Sequence, residues 1–305
     1  MKRGNNIEKK RRLVTTSLNG LVTEWSLSTG TIKSKLFTGG GAIWSAKFDR
    51  KFGYLAGEDG ALRIIKVKKR RIELVKQYSK VESQCLSLEF DHIKTRVAKE
   101  RQVKMKKTTT DSATSESSES DDIDINSADD DENGRVQSIY CGYQDGSIRK
   151  WNLRNGNCTL HIEKDPAKKY EDASLIWCLK LHKDTLISGD SKGHVCLWDT
   201  RFGTLLKKFT TLQADILALE VNPRFNCIYA SGVDSRVISI HLGGDQGATQ
   251  TSIFRGQSHD IKSLVLLNPR TLISGGITTD ICVYKLEEGG RFSEQYGKDS
   301  KVQAL

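Results

Sequence analysis

The chain has 305 residues, 37% of them hydrophobic, with 48 Lys+Arg against 38 Asp+Glu and a formal net charge of +10. That length can bury a substantial core. No apolar run approaches the roughly 18–20 residues of a membrane span, and the basic amino end lacks the apolar stretch of a secretory signal, so neither is expected.

Residues 1–12, MKRGNNIEKKRR, read as a polar, basic tail. From Leu13 onward one phrase recurs six times: a small residue or two, a tight polar turn, then a short apolar strand. It reads SLNGLVTEWSL at 17–27, GEDGALRIIKV at 57–67 and GYQDGSIRKWNL at 142–153. It returns as GDSKGHVCLWDT at 189–200, GVDSRVISIHL at 232–242 and GGITTDICVYKL at 275–286. Gly20 to Gly60 is 40 residues, Gly146 to Gly193 is 47, Gly193 to Ser235 is 42, and Ser235 to Thr279 is 44. A period near 40–45 residues, with an aspartate–glycine turn feeding an aromatic-ended strand, is the signature of a WD40-type β-propeller blade.

Local chemistry supports that reading. Asn19-Gly20, Asp59-Gly60 and Asp145-Gly146 supply the positive φ expected of two-residue hairpin tips. The segments that follow are rich in β-branched and apolar residues, as in Leu62, Ile64 and Val67, or Val195, Leu197 and Trp198. A blade's sheet cannot bury both faces alone, so neighbouring blades must stack. Trp25, Trp151 and Trp198 fit packing between blades. His259 and Ser274 could join the hydrogen-bonded set found in many WD repeats, with Tyr284 where its tryptophan would stand.

One interval departs from the period. Gly60 to Gly146 spans 86 residues yet holds only one additional blade's worth of strand pattern. CLSLEF at 85–90 reads as the innermost strand of a third blade, and VQSIYCG at 136–142 as its partner. Between them runs a polar tract from about Lys94 to Gly134. Its 22 residues 111–132, DSATSESSESDDIDINSADDDE, hold ten Asp/Glu and no Lys/Arg. So apolar-poor a stretch cannot offset the entropy of ordering, and a disordered surface insertion is expected. Thr108, Ser118 and Ser127 each have an aspartate three residues on, a pattern suited to acidophilic kinases, and are candidate phosphorylation sites.

The chain therefore divides into a basic tail (1–12), propeller blades (13–93), an acidic, serine-rich insertion (94–134), further blades (135–288) and a C-terminal tail (289–305). The fold class is all-β, a propeller of about six to seven blades. The innermost strand that should precede Leu13 is missing from the pattern, so the chain is expected to be part of a larger protein.

No catalytic constellation can be assembled. The six histidines are scattered, no Cys-x-x-Cys pair occurs among the seven cysteines, and no phosphate-binding loop is present. Gly39-Gly40-Gly41 lacks the Gly-Lys-Ser/Thr ending such a loop needs. No cofactor, metal or small-molecule substrate is expected, and cysteines sitting in strand phrases suggest buried, reduced thiols.

Charge is the second strong signal. Removing the acidic residues 111–132 from the net +10 leaves +20 on the rest of the chain. The positive charge is bunched at Lys9, Lys10, Arg11 and Arg12, again at Lys66, Lys68, Lys69, Arg70 and Arg71, and at Lys104, Lys106 and Lys107. Either of the first two clusters suits a solvated surface, a nuclear-import signal, or contact with RNA phosphates. No interleaved aromatic–basic RNA-recognition motif accompanies them.

SLNGLVTEWSL (17–27), GGGAIWSAKF (39–48), YLAGEDGALRIIKV (54–67), LIWCLKLHKDTLISGDSKGHVCLWDT (175–200) and SHDIKSLVLLNPRTLISGG (258–276) resemble, in collinear order, the cirhin-like nucleolar WD-repeat proteins of the small-subunit processome. The resemblance covers most of the chain outside 94–134. It implies a non-catalytic role in early ribosomal RNA maturation, in the nucleus and nucleolus. It also implies partnership with other WD-repeat processome proteins and with pre-ribosomal RNA or a small nucleolar ribonucleoprotein. Members of that family carry two tandem propellers, and this chain would correspond to most of the first. The alternative is a WD-repeat adaptor in another complex, such as a ubiquitin-ligase substrate receptor or a chromatin scaffold.

Overall fold

The structure is a computed structural model describing residues 12–49, 52–68, 71–78, 80–91, 136–163, 174–243, 248–255, 257–278, 280–288, 290–292 and 301–303. Those residues form antiparallel sheets in chain order, with no helix among them. The first sheet has three strands, β1 (Leu13–Thr16), β2 (Leu21–Trp25) and β3 (Ile32–Phe37). The second holds β4 (Ile43–Asp49), β5 (Phe52–Gly57), β6 (Leu62–Val67) and β7 (Ile72–Gln77). The third holds β8 (Cys85–Phe90), β9 (Ser138–Tyr143), β10 (Ile148–Asn152) and β11 (Cys158–Ile162). The fourth holds β12 (Ile176–His182), β13 (Thr185–Asp190), β14 (His194–Asp199) and β15 (Leu205–Thr210). The fifth holds β16 (Ile216–Asn222), β17 (Cys227–Gly232), β18 (Arg236–Leu242) and β19 (Ala248–Arg255). The sixth holds β20 (Ile261–Asn268), β21 (Thr271–Gly276), β22 (Asp280–Lys285) and β23 (Lys301–Gln303). Each sheet is a simple meander, as expected of WD40 propeller blades.

The leading strands β4, β8, β12, β16 and β20 pack side by side. Matching positions meet across them. Lys47 Nζ lies 2.8 Å from Glu89 Oε2, and Lys180 Nζ 2.8 Å from Glu220 Oε2, each residue being the fifth of its strand. Ser87 Oγ donates to the Ile176 carbonyl at 2.9 Å, third residue to first. These inner strands therefore run parallel, and the ends of the sheets correspond. In every four-stranded sheet the second turn lies at the end where the inner strand starts, and the first and third turns lie at the other.

All five inner strands share one irregularity. Their register slips just after the first residue: at Ile43, Cys85, Ile176, Ile216 and Ile261. Such a bulge re-aims the residue that follows it.

The core is not central but divided into clusters, each between consecutive sheets. Tyr54, Leu62, Ile64, Leu88, Ile139 and Tyr143 fill the space between sheets two and three. Tyr140, Ile176, Leu186 and Trp198 do so between three and four, and Ile187, Val195, Ile216 and Ile238 between four and five. On β9, Ile139, Cys141 and Tyr143 face one neighbour while Tyr140 faces the other. That double burial explains why the middle strands read as apolar runs rather than alternations.

The turns differ from the two-residue reading. Gly60 N–H donates to the Gly57 carbonyl at 3.1 Å, so the turn spans Gly57 to Gly60. Gly60 has φ +74°, whereas neither Glu58 nor Asp59 adopts a positive φ. The tip is a four-residue turn closed by a left-handed glycine, and the aspartate works through its side chain: Asp59 Oδ1 accepts from Ala61 N–H at 3.3 Å. A Cβ on Gly60 would lie 2.1 Å from the Val81 carbonyl oxygen, so close approach of the next link demands glycine as well.

The tryptophans are tied within their blades as well as packed. Trp25 Nε1 donates to Thr15 Oγ1 at 2.9 Å and Trp198 Nε1 to Ser188 Oγ at 2.9 Å. Tyr284 OH and Ser274 Oγ, 2.9 Å apart, repeat that link with a phenol. His259 is exposed and stands outside it; Gln257 Nε2 instead reaches the Ser274 carbonyl at 3.2 Å. Residues 301–303, assigned to a tail from the sequence, run beside β22, with Lys301 opposite Cys282. A three-residue Lys-Val-Gln strand is too short for its pattern to announce it.

Candidate nucleic-acid interface

The β6–β7 hairpin carries the strongest basic cluster. Lys68 N–H donates to the Arg71 carbonyl at 2.9 Å and closes the third turn of sheet two. Lys69 and Arg70 lie outside the described residues, as do Lys9, Lys10, Arg11, Thr108, Ser118 and Ser127. Lys66 sits in β6 opposite Glu73, its Nζ 5.3 Å from the Phe52 ring centre. Lys68 and Arg71 both pair with Glu73, Lys68 at 2.5 Å. The Lys68 ammonium, with Arg71 behind it, holds the Glu73 carboxyl below its ordinary range. One carboxylate thus serves two of the cluster's cations, and the hairpin keeps a positive excess.

Arg12 turns out to be structural. Its Nη1 donates to the Val67 carbonyl at 2.5 Å and its Nε lies 3.7 Å from Glu24 Oε1, a buried carboxylate of β2. The guanidinium is therefore committed to joining sheet one to sheet two. The same bond places Arg12 itself at the base of the β6–β7 hairpin.

More cations emerge at the same end of the other sheets. Arg154 and Arg201 occupy third turns, and Lys183, Arg224 and Arg270 first turns. Arg154 and Arg224 are exposed and have no ion pair among the described residues, Arg224 resting 6.0 Å from the Phe225 ring. Arg201 lies 3.7 Å from Asp199 beside Phe202, which is 73% exposed, and Arg270 lies 3.3 Å from Glu288. Sequence reasoning missed all of these because they are isolated in the chain. The available signal was positional: Pro223-Arg224 and Pro269-Arg270 recur at the same turn of successive blades.

At the opposite end, cations are consumed inside the fold. The turn aspartates Asp59, Asp145 and Asp234 pair with Arg63, Arg149 and Arg236, while Asp190 Oδ2 lies 3.1 Å from the His194 ring Nδ1. Arg63 is doubly bonded to Asp59, at 2.8 and 2.6 Å. Between the ends, Lys150 Nζ lies 2.6 Å from Asp91 Oδ2, a carboxylate with only 1% exposure.

Among the described residues no group of three His, Cys, Asp or Glu could hold a metal ion. Burial pushes the Cys178 thiol up to about 12 and Cys227 up to about 11, far from the values that activate a nucleophile. None of the seven cysteines forms a disulfide; Cys158 is exposed, and Cys85, Cys141, Cys196, Cys227 and Cys282 are buried. A surface of spaced arginines and lysines can hold phosphates at several points without reading bases.

No protein-family model matches the chain. The computationally designed Ika8 protein shares the fold at a TM-score of 0.62, with 15% identity, covering 97% of this chain and 74% of that one. "U3 small nucleolar RNA-associated protein 4 homolog" of Homo sapiens is 23% identical over 291 residues, 91% of this chain. "U3 small nucleolar RNA-associated protein 4" of Schizosaccharomyces pombe is 26% identical over 298 residues, 93% of this chain. The chain spans about a third of the length of these two relatives, 36% and 35%. It is a WD-repeat chain similar, across nearly all of its own length, to one part of a much longer U3 small nucleolar RNA-associated protein.

Proposed function

We propose that the chain is a non-catalytic scaffold module in early ribosome biogenesis, helping to assemble the small-subunit processome on nascent pre-ribosomal RNA in the nucleolus. It supplies most of one propeller of a larger tandem-propeller protein. The observation that carries this reading is the collinear similarity to U3 small nucleolar RNA-associated protein 4 over 93% of the chain. The exposed cations on the first- and third-turn end, with Lys66, Lys68 and Arg71 at one corner, support phosphate contact that positions the RNA. Lys69 and Arg70 belong to the same proposed contact, and Lys9, Lys10 and Arg11 to it or to nuclear import. Thr108, Ser118 and Ser127 would add negative charge to a tract that competes with RNA for this basic surface.

Affinity purification of the tagged protein, with sequencing of the associated RNA and identification of the proteins, tests the proposal. The expected result is enrichment of U3 small nucleolar RNA and pre-ribosomal RNA together with other WD-repeat processome proteins. Recovery of ubiquitin-ligase or chromatin components, with no enrichment of those RNAs, would sink it.

A further inference from the structure

The sequence repeats Ile-Trp at the start of two inner strands, Ile43-Trp44 of β4 and Ile176-Trp177 of β12. These strands are not neighbours, because β8 packs between them. Their indoles nonetheless meet, with ring centres 6.3 Å apart and planes at 62°. Contact over an intervening strand requires both rings to stand on the concave side of the inner-strand row. Leu86, at the same position of β8, is 4% exposed, as two indoles closing over it would leave it. Trp44, by contrast, remains 40% exposed.

One carboxylate touches the pair, and a second is held at the residue just before β4. Glu58, an exposed residue of the second turn of sheet two, accepts from the Ala42 N–H at 2.9 Å, two residues before Trp44. Asp215, just before β16, accepts from Trp177 Nε1 at 2.8 Å. Asp260 holds the matching position just before β20. An edge-to-face pair leaves an indole face open, and such a face attracts a cation, most strongly where carboxylates add to the field. The same carboxylates repel phosphate, so base stacking by a nucleic acid is disfavoured here.

We propose that Trp44 and Trp177 form a docking point for an extended protein segment bearing arginine, whose guanidinium lies on the Trp44 face between Glu58 and Asp215. This point lies at the inner-strand starts, opposite the end that carries the basic turns. It is independent of the RNA reading.

The test uses the full 305-residue chain. The probe is a fluorescent twelve-residue peptide alternating glycine with arginine, against the same peptide carrying citrulline for arginine. The expected result is saturable binding of the arginine peptide, at least about tenfold weaker for the citrulline peptide and for Trp44→Ala. Trp44→Phe, which keeps an aromatic face, should recover part of the loss, and Glu58→Gln should weaken binding without altering the unfolding midpoint. Equal binding of the citrulline peptide would overturn the proposal, as would affinity indifferent to Trp44→Ala, the behaviour expected if the acidic stretch 111–132 captured the peptide. Displacement of the peptide by single-stranded RNA in a Trp44-dependent manner would also overturn it, by making the site a nucleic-acid one.

Discussion

The two ends of the sheets use positive charge in opposite ways. Where the second turns lie, Arg63, Arg149 and Arg236 each fold back on an aspartate of their own hairpin. Where the first and third turns lie, Arg154, Lys183 and Arg224 face solvent, as do Lys68 and Arg71 of the β6–β7 hairpin. A formal charge of +10 says nothing about which cations are available to a partner. The contrast teaches that an arginine two to four residues after a second-turn aspartate belongs to the blade, while a cation within a first or third turn is offered outward.

The contrast can be broken by removing cations from each side. The largest effect is expected for Lys150→Met, which strands the buried Asp91 carboxylate and should cost about 3–5 kcal/mol in urea unfolding. Burial works against the Lys150 ammonium, but its bond to Asp91 outweighs this and holds its pKa above 10.5. On the lysine's side the contribution is therefore full at neutral pH and is lost as the pH climbs through that raised value. A stability change below about 1 kcal/mol would show that the pair is not buried as described.

Arg63→Ala comes next, at about 2–3 kcal/mol, because it removes a nearly inaccessible guanidinium from Asp59. Burial alone would raise the Asp59 pKa, but bonds from Arg63 and Lys80 bring it from 3.8 down to about 2. A depressed carboxyl stabilises above its unfolded pKa. The gap between wild type and Arg63→Ala should accordingly be full above pH 4 and shrink as the pH falls toward 2. A gap constant across that window would rule out the ion pair as its source.

The outward cations should behave inversely. Changing Lys68, Lys69, Arg70 and Arg71 to Ala should move stability by no more than about 0.5 kcal/mol. It should weaken RNA binding and flatten its salt dependence by about 0.7 in log–log slope per lost phosphate contact. An unchanged slope with altered nuclear import would leave only the targeting role. Arg154→Ala with Arg224→Ala sharpens the comparison further: a slope reduced by about 1.4 extends the interface beyond sheet two, and no change confines it there. Excising 111–132 should alter stability least, by under about 0.5 kcal/mol. Tighter RNA binding at fixed salt would mark that stretch as a competitor for the basic end, and unchanged binding as a solubilising insert.

What could be read in the sequence was local chemistry repeated. Glycine and aspartate at a fixed interval betray the blades because turn geometry acts over four residues. The pairing of β8 with β9 was legible from one doubled interval. What could not be read depends on groups brought together from afar. Arg12 looks like one more cation of a basic tail until Val67, 55 residues on, supplies its acceptor. Trp44 and Trp177 look like core aromatics until the curvature of the inner strands presses them together. The arginines of the first and third turns form no run; apart from the Pro-Arg pair repeated at 223–224 and 269–270, only the corresponding ends of successive sheets make them a set.

The root of the β8–β9 connection has a use of its own. Asp91 N–H donates to the Ser138 carbonyl at 3.0 Å, and Lys150 clamps the Asp91 side chain, so both stems are fastened whatever joins them. The cost of closing a flexible loop grows by only about 0.6 kcal/mol for each doubling of its length. A guest domain with adjacent termini could therefore be spliced between residues 91 and 136, and the host's strand pairing would be indifferent to the lodger's size.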